Sequence, residues 1–459
     1  NKEGHSIYAY GGDFGRYPAS DQNFNCNGFL NPDRVPHPMA TEVRYAHQPL
    51  WTTLVDSLRG TVEVCNEQQF ADLTDLDATW TLLIDGSVRA AGGSDIATVP
   101  AGGRLRFDLE GYRPIAAAGE QRLIIDYRIT REHGLLPAGF VIARAEFALT
   151  PYHFPEVQTL TAAHGEVQRE EQLSCITLRS PRLAVTVNKH TGLIDYIDLD
   201  GEQMTEEHYA VTPDFWRAAT DNDFGAGYPT RYAAWREAQR RLTALEDHLI
   251  GESRSITATF ALDTLRATLM LTYTLTPDDH LIVGQRLIPH AEHPEQMPGL
   301  LRFGMQLVMP QRFDRIASYG RGPEENYADR HHGTFLARYA SSVAEQYWPY
   351  VRPQESGNHT DVREWSVTDA DGFGLTFRGI RPLECSTLPY LTADLDDGPD
   401  KRNRQSHSGD LRPRPFSVLH IADHQAGVGG IDSWGAEPLE AYRLPYGAYD
   451  YQYIISPAR

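Results

Sequence analysis

The sequence predicts a mainly β protein, built from two antiparallel sandwiches that follow one another along the chain. Apolar and polar residues alternate with a period of two over many short segments, which is typical of half-buried strands. Turn-forming residues are plentiful, with 38 glycines and 29 prolines in 459 residues, as expected where short strands are joined by turns. One segment, Ala233 to Leu245, has apolar residues spaced for one face of a helix, and it is the helix that we predict.

The first sandwich is predicted over residues 45–150. Thr61 to Val64 and Arg104 to Leu109 alternate between apolar and polar residues. Trp80 to Ile84 runs into Asp85-Gly86, which is a hairpin signal because both residues tolerate a positive φ angle. Short strands at this spacing within ~100 residues predict an immunoglobulin-like sandwich.

The second sandwich is predicted over residues 173–459 and follows a linker at 151–172. Pro151, Pro155 and a polar run at 168–172 indicate the linker. Beyond it the strand pattern continues to the end of the chain without a repeat of fixed period. This favours one large antiparallel sandwich over a propeller.

Residues 1–44 differ from the rest of the chain. They are rich in Gly, Pro, Asn and Asp and carry little apolar surface, so we expect them to pack on another part of the protein. The chain begins at Asn1, without an initiator Met or a signal-peptide core. We therefore expect it to be a piece of a longer protein.

Charge and cysteine content limit the partners and the compartment. With 42 basic and 62 acidic residues the net charge is −20, which disfavours nucleic acid as a partner. No apolar run approaches the ~20 residues of a membrane span, so no membrane is expected either. Four scattered cysteines without a CxxC pair predict reduced thiols in a cytoplasmic protein, with a periplasmic or secreted location as the alternative.

Two motifs rich in Gly or Asp are predicted to have structural roles rather than to bind a ligand. Tyr10 to Gly15, followed by Phe24 to Gly28, is glycine-rich but lacks the strand before and the helix after that a phosphate loop requires, so we predict a tight surface loop. Asp221 to Asp223 resembles the start of a calcium loop, but the Gly and the terminal Glu are not at EF-hand spacing. We predict a turn in which these carboxylates cap backbone N–H groups and pair with Arg217.

Two further motifs lie in the second half of the chain. Glu324 and Glu325 are adjacent and would point to opposite faces of an extended segment, and the following histidine doublet has no companion metal ligands, so we predict a solvated loop there. Trp434 sits in a glycine-rich loop, Gly427 to Gly435, where it can be either a sugar-stacking aromatic or a plug that closes the end of the sandwich.

The residues alone predict no catalytic pair. A retaining glycosidase needs two carboxylates ~5–5.5 Å apart. Glu355, Glu364 and Asp432 are possible members of such a pair, but none stands in a convincing loop context.

Taken together and in this order, the motifs closely resemble the lac-type β-galactosidases of glycoside hydrolase family 2. The resemblance rests on Tyr10 to Gly15, Phe24 to Gly28, Pro36-His37-Pro38, Phe215 to Asp223, Gly322 to Asp329 and Gly427 to Trp434. It implies that residues 1–44 are the C-terminal tail of a (β/α)8 TIM barrel and that 45–150 are the immunoglobulin-like domain. Residues 173–459 would be the galactose-mutarotase-like supersandwich, which some members encode as a separate small subunit.

The resemblance also implies retaining hydrolysis of terminal β-D-galactosides such as lactose. In this family one Glu is the acid/base and another is the nucleophile. Both positions would lie upstream of Asn1, as would the magnesium ligands that cluster with the acid/base. We therefore expect this chain to supply scaffold and part of the substrate site, and to be inactive by itself. Its implied partners are the galactoside, the missing N-terminal barrel region and, in the full-length enzyme, further copies of the same protein.

Three residues carry family roles over to this sequence. Phe24 matches the position whose backbone carbonyl binds the active-site sodium. Asn27 matches the sodium ligand that also contacts the galactosyl 6-hydroxyl, and Trp434 matches the platform for the incoming or leaving sugar. Ser20 falls where the best-known member has a residue of a secondary magnesium site, which puts that site in doubt here.

Two other hypotheses stay open. The chain can be a natural small subunit that completes a separate large subunit, although a boundary inside a barrel would be costly. It can also be a non-catalytic carbohydrate-binding β-sandwich protein, although a barrel tail would be useless there.

Overall fold

The structure of the chain is a computed structural model that describes residues 3–15, 20–26, 28–432 and 434–458. It confirms the prediction of a mainly β protein, because antiparallel strands make up most of the regular secondary structure in the described chain. The chain divides into two compact units. The smaller unit holds residues 39–153 and 332–338, and the larger unit holds the rest.

The smaller unit contains a short helix, α1 (Met39–Ala46), and two antiparallel sheets. The three-stranded sheet has the order β1-β2-β5, from strands β1 (Leu50–Asp56), β2 (Thr61–Asn66) and β5 (Arg104–Asp108). The four-stranded sheet has the order β4-β3-β6-β7, from strands β3 (Leu76–Ile84), β4 (Ser87–Ile96), β6 (Gln121–Ile129) and β7 (Val141–Thr150).

Both sheets of the smaller unit contribute to one apolar core. Val62 and Val64 from the first sheet join Trp80 and Leu123 from the second, and all four are buried. The predicted hairpin at Asp85-Gly86 is confirmed. Asp85 has φ 47° and Gly86 has φ 74°, and the two residues connect the paired ends of β3 and β4.

The larger unit contains two further antiparallel sheets. The five-stranded sheet has the order β12-β11-β10-β9-β8, from β8 (Gln168–Glu171), β9 (Cys175–Arg179), β10 (Leu183–Asn188), β11 (Ile194–Leu199) and β12 (Glu202–Gln203). The twelve-stranded sheet holds β13 (Thr212–Asp214), β14 (Arg241–Ile250), β15 (Ser253–Leu262), β16 (Ala267–Leu275), β17 (Leu281–Pro289), β18 (Arg302–Pro310), β19 (Arg315–Gly322), β20 (Phe335–Ser342), β21 (His359–Thr368), β22 (Gly374–Leu388), β23 (Phe416–Gln425) and β24 (Tyr449–Pro457).

The long path of the twelve-stranded sheet runs β13-β18-β23-β22-β24-β17-β16-β15-β14, with β19, β20 and β21 as a side branch. Its inner face packs against the five-stranded sheet. Val185 and Leu199 of the smaller sheet share one core cluster with Leu269, Val283 and Ile455 of the larger sheet. Burial of this shared apolar face is the main force that holds the larger unit together.

The helices of the larger unit are short. They are α2 (Val157–Thr161), α3 (Asp221–Gly225), α4 (Tyr228–Arg231), α5 (Ala233–Arg236) and α6 (Thr392–Leu395). Short 3-10 helices cover Gln22–Cys26, Pro294–Gln296, Ala344–Gln346, Lys401–Asn403, Ser408–Asp410 and Glu440–Tyr442. None of the helices in the described ranges has the length and apolarity that crossing a bilayer requires.

The predicted helix over Ala233 to Leu245 is wrong beyond its first turn. The helix α5 ends at Arg236, and the residues from Arg241 onward form β14 instead. Strand β14 pairs with β15 along nearly its whole length, from Arg241 opposite Ala261 to Ile250 opposite Ser253. Backbone pairing with β15, which follows β14 directly after the turn at Gly251-Glu252, thus overrides the local helix propensity of Ala, Glu, Arg and Leu.

Candidate functional site

An open cleft of about 880 Å³ lies on the larger unit and brings four distant segments together. The first segment belongs to the N-terminal residues, the second spans the short helices α3 and α4, and the third follows α6. The fourth is the glycine-rich loop that carries Trp434. The lining residues of this cleft include Gly11, Asn23, Phe24, Asp221, Lys401 and Trp434.

Phe24 and Trp434, two residues singled out in the sequence, form an exposed aromatic pair in this cleft. Their ring centroids lie 5.6 Å apart with the planes inclined by 56°. The Phe24 side chain is 47% exposed and the Trp434 side chain is 79% exposed. The indole is therefore not a plug that closes the sandwich, which was one of the two interpretations of its glycine-rich loop. It presents a flat apolar face to the cleft, as a sugar platform does.

Asn27, the third residue to which the family resemblance assigns a role, lies outside the described residues. Phe24 stands in the 3-10 helix Gln22–Cys26, where its N–H donates to the carbonyl of Asp21 at 3.1 Å. In the described ranges no group of three or more His, Cys, Asp or Glu side chains is arranged to hold a metal ion. A sodium site built from backbone carbonyls and an amide would draw on Phe24 and on ligands beyond these ranges, and it stays a prediction.

The base of the Trp434 loop is a buried guanidinium. The Arg217 Nη2 donates to Asp223 Oδ1 at 2.7 Å and to the Gly427 carbonyl at 2.9 Å, and its Nη1 donates to the Ala426 carbonyl. The Arg217 side chain is fully buried and the Asp223 side chain is 2% exposed. The predicted pairing of these residues is therefore confirmed, and so is the predicted capping. Asp223 and Thr220 form a reciprocal capping box at the start of α3.

Gly427 and Gly429 of this loop are required by space rather than by a left-handed backbone. The Asp329 carboxylate accepts hydrogen bonds from Val428 N at 3.1 Å and from Gly429 N at 2.8 Å. A Cβ atom at Gly427 would collide with the same carboxylate. Asn222 adds a third connection, because its Nδ2 donates to the Val428 carbonyl at 2.9 Å. The loop is thus held from below while its tip, with Trp434, stays exposed.

A polar trio fixes the Phe24 segment to the wall of the cleft. Asn23 is buried, and its Nδ2 donates to Asp221 Oδ2 at 2.6 Å. The Lys401 Nζ forms an ion pair with Asp221 Oδ1 and donates to Asn23 Oδ1 at 3.3 Å. Lys401 was not singled out in the sequence, because a lone lysine in a polar loop carries no signal of its partner.

A second anchor is Tyr10, whose ring is buried, while Gly12 to Gly15 of the same motif form an exposed turn, as the prediction of a surface loop requires. Tyr10 is fully buried. Its hydroxyl donates to the Ser406 carbonyl at 2.6 Å and accepts from Arg352 Nη1 at 2.7 Å, and Arg352 is ion-paired with Asp397. Because an apolar ring and a hydrogen-bonded hydroxyl are both buried, Tyr10 fixes its segment to Arg352 and Ser406 within the larger unit.

The carboxylates weighed as a catalytic pair have structural roles. Glu355 is buried and pairs with Arg302 at 2.9 Å, while Glu364 pairs with Arg378 at 2.7 Å. Asp432 accepts from the N–H of Trp434 at 2.8 Å.

Glu325, from the Tyr319 to Asp329 motif, is likewise held in place. It accepts hydrogen bonds from Arg330 Nη2 at 2.8 Å, from Ser356 Oγ at 3.1 Å and from Gly357 N at 2.6 Å. These contacts leave none of the four carboxylates arranged as an acid/base and nucleophile pair.

A buried charge cluster lies on β13, β18 and β23. The Arg302 Nη1 is 2.6 Å from Asp214 Oδ2, which also lies 2.7 Å from His420 Nδ1. Burial by itself raises the pKa of Asp214, but the Arg302 and His420 charges overcome it and hold the pKa well below its usual range. Asp214 is therefore fixed as a carboxylate and is not a proton carrier near neutral pH.

Comparison with known proteins gives matches over nearly the whole chain. The family model described as β-galactosidase small chain matches residues 179–455, and that of β-galactosidase domain 4 matches residues 62–150. The β-galactosidase of Priestia megaterium is 32% identical over 451 residues, which cover 96% of this chain and 42% of that protein. The β-galactosidase of Halalkalibacterium halodurans is 30% identical, covering 97% of this chain and 42% of that protein.

The chain thus spans about two fifths of the length of these relatives. Among solved structures, galactose 1-epimerase from Lactobacillus acidophilus NCFM covers 64% of this chain at 9% identity, with a TM-score of 0.34. That likeness is too weak to carry an argument. The small-chain model, in contrast, matches more than half of the chain, from the end of β9 to β24. The chain therefore belongs to the β-galactosidase small-chain family.

Proposed function

We propose that this chain is the C-terminal part of a retaining β-galactosidase of glycoside hydrolase family 2, which hydrolyses terminal β-D-galactosides such as lactose. Its family membership and the β-galactosidases matched over nearly its whole length support this function. The observation that carries the proposal is the aromatic pair. Phe24 and Trp434 come from opposite ends of the chain and meet in one open cleft.

In this proposal the chain binds and orients the sugar, and it does not break the glycosidic bond. The C–H face of a pyranose stacks on the exposed Trp434 indole, which leaves the sugar hydroxyls in water or near the polar wall. The Phe24 carbonyl and Asn27 would hold a sodium ion, which would supply a fixed positive charge for the galactosyl 6-hydroxyl. The two catalytic glutamates, ~5–5.5 Å apart for retention, and the magnesium beside them would belong to a barrel region outside this chain.

The proposal includes a domain assignment. Residues 1–44 would end the barrel, 45–150 would be an immunoglobulin-like domain and 173–459 the galactose-mutarotase-like supersandwich. The full-length enzyme would act in the cytoplasm as a homo-oligomer.

A second candidate is a separate small subunit that assembles with a large catalytic subunit. The match to a model of the small chain favours it, because that model describes a chain of its own. A third candidate, a non-catalytic carbohydrate-binding protein, would use the same Trp434 platform without any catalytic partner.

One experiment separates the three. The chain is assayed with an aryl β-galactoside in three forms: alone, mixed with the part of the Priestia megaterium enzyme that it does not match, and fused to that part. Circular dichroism and sedimentation establish that each form is folded. We expect no turnover by the chain alone and turnover with retained anomeric configuration by the fusion.

Turnover by the mixture, together with a stable complex in sedimentation, would favour the separate subunit. A folded fusion that binds lactose without hydrolysing it would favour the carbohydrate-binding protein. Turnover by the chain alone that disappears when one of its own carboxylates is replaced would overturn the assignment of the catalytic pair to another region.

A further inference from the structure

A second cavity, of about 580 Å³, opens on the larger unit. Its walls are formed by the turn after β10, by α5 and the residues that follow it, and by β13 and β15. In the described part of the chain it shares no lining residue with the aromatic cleft. Its volume lies within the ~300–1,000 Å³ that is typical of small-molecule sites.

Arg240 lines this cavity without a counter-charge. Burial lowers the pKa of its guanidinium. The neighbour that acts on its charge is the phenol of Tyr273, which is neutral and donates its own proton to the Gly192 carbonyl at 3.1 Å. No carboxylate among the described residues lies within 4.0 Å of the Arg240 nitrogens, and no hydrogen-bond acceptor there receives their protons.

Three buried arginines of this unit are arranged differently. Arg217 reaches Asp223 at 2.7 Å, Arg302 reaches Asp214 at 2.6 Å, and Arg352 is paired with Asp397. Arginine stays protonated at any physiological pH, so a half-buried guanidinium without a counter-charge destabilises the fold. An anion that enters the cavity would remove this cost.

The surroundings of Arg240 also favour an anion. Arg236 lies on the same wall. Its Nη2 pairs with Asp396 Oδ2 at 3.1 Å, but its Nε is buried without a hydrogen-bond partner, and its guanidinium carbon lies 4.7 Å from the Trp216 ring centroid. The Asp214 carboxylate already pairs with Arg302 and His420. Glu237 also lines the cavity, but it is exposed and its carboxylate lies outside ion-pair distance of Arg240.

We infer that this cavity binds a small organic anion about the size of a sugar phosphate, with its phosphate, sulfate or carboxylate group against Arg240. The bidentate guanidinium fits the planar or tetrahedral oxygens of such a group. The aromatic walls, Trp235 and Phe260, are almost fully buried and offer little apolar surface, so recognition is polar. The inference is independent of the proposed glycosidase function, because it uses none of the cleft residues.

Titration of the chain measures this binding directly. The probes are inorganic phosphate, sulfate, galactose 6-phosphate and neutral galactose, each at constant ionic strength set with NaCl, with heat and melting temperature as readouts. We expect galactose 6-phosphate to bind more tightly than phosphate or sulfate, and galactose not to bind. The variant Arg240→Gln should lose at least about tenfold in affinity, since a charge-assisted hydrogen bond is worth ~1.5–3 kcal/mol.

The matched control is Arg241→Gln, the next residue, whose side chain is 65% exposed and pairs with Asp263. It should bind the anions as the unaltered chain does. In the absence of an anion, Arg240→Gln should melt at the same or a higher temperature than the unaltered chain, because it removes an uncompensated charge. With galactose 6-phosphate present, the order should reverse.

Three results would overturn the inference. Phosphate, sulfate and galactose 6-phosphate could stabilise the unaltered chain and Arg240→Gln equally, or not at all. NaCl alone could reproduce their effect. Finally, Arg240→Gln could lower the melting temperature by the same amount with and without the anion, which would make Arg240 a structural residue.

Discussion

The rim of the cleft that holds Phe24 and Trp434 and the base of the Trp434 loop differ in burial and in the contacts that hold them. At the rim, Phe24 and Trp434 are largely exposed and touch each other through a tilted ring contact. At the base, Arg217 and Asp223 are buried, and the guanidinium bonds to Asp223 and to two loop carbonyls at once. The rim contributes little to folding, whereas the base sets the position of the loop that presents the rim.

This difference predicts that folding and binding respond to separate substitutions. Changes at the base should destabilise the larger unit, because they leave buried polar groups without partners. Changes at the rim should weaken sugar binding and leave the fold intact, because an exposed side chain buries little apolar area. The predictions below test this separation, beginning with the largest expected effect.

The largest effect is expected for Arg217→Met. The methionine fills part of the space but leaves the Asp223 carboxylate and the carbonyls of Ala426 and Gly427 without their donor. Breaking a buried ion pair from one side costs ~3–5 kcal/mol in the free energy of unfolding. Urea denaturation of the chain measures that loss.

The control is Arg402→Met. Arg402 pairs with Asp400 at the cleft, but the Arg402 side chain is 78% exposed. An ion pair in water contributes little, so this variant should unfold close to the unaltered chain. Equal losses in both variants would contradict the role given to the base.

The second effect concerns Glu384, a buried carboxyl that lacks an ion-paired arginine. Burial raises the pKa of Glu384 to about 7, against an ordinary value of 4.5, and a hydrogen bond from Asn358 at 2.8 Å only partly offsets this. Asp214, with Arg302 beside it, shows the opposite direction of pKa shift. The folded protein therefore prefers protonated Glu384. Its contribution to stability is present below pH 4.5 and is lost as the pH rises to about 7.

The variant Glu384→Gln keeps the shape and cannot ionise. Relative to the unaltered chain, its free energy of unfolding should rise by ~3 kcal/mol between pH 4.5 and pH 8, in proportion to the rise in the pKa. Urea denaturation at intervals of pH measures the difference, which cancels the titration of all other groups. A difference that stays constant with pH would show that folding does not raise the pKa of Glu384.

The sequence predicts the local features of the molecule better than the distant contacts. The alternating strands, the Asp85-Gly86 hairpin and the Arg217–Asp223 pair each depend on residues close together in the chain, and all are confirmed. The helix over Ala233 to Leu245 was wrong because β15, a later strand, pairs with its second half.

The anchoring of the Trp434 loop and of Tyr10 could not be predicted for another reason. Asp329 explains the glycines at 427 and 429, and Ser406 and Arg352 explain the burial of Tyr10, yet in each case the partner is far away in the sequence. The exposure of Trp434 was one of two interpretations of the sequence, because a Trp in a glycine-rich loop has few structural explanations. What separated its two interpretations was burial, which only the structure supplies.

The smallest effect on folding, and the most informative one for function, is expected for Trp434→Ala. The indole is 79% exposed, so its loss should change the free energy of unfolding by less than ~0.5 kcal/mol. An aromatic stacking contact is worth about 0.5–1.5 kcal/mol beyond area terms, which is roughly a twofold to tenfold loss in affinity. In the active form that contains this chain, the variant should therefore bind lactose and acceptor glucose more weakly, with a higher KM or less transglycosylation.

The matched control is the same substitution in the core. Trp365 is 1% exposed, and its Nε1 donates to Thr387 Oγ1 at 2.9 Å. Trp365→Ala should cost ~3–5 kcal/mol of stability. Melting temperature and acceptor affinity measured on both variants test the rim against the core directly. If Trp434→Ala lowers the melting temperature as far as Trp365→Ala and leaves acceptor affinity unchanged, Trp434 is a packing residue, and the platform at the rim of the cleft does not exist.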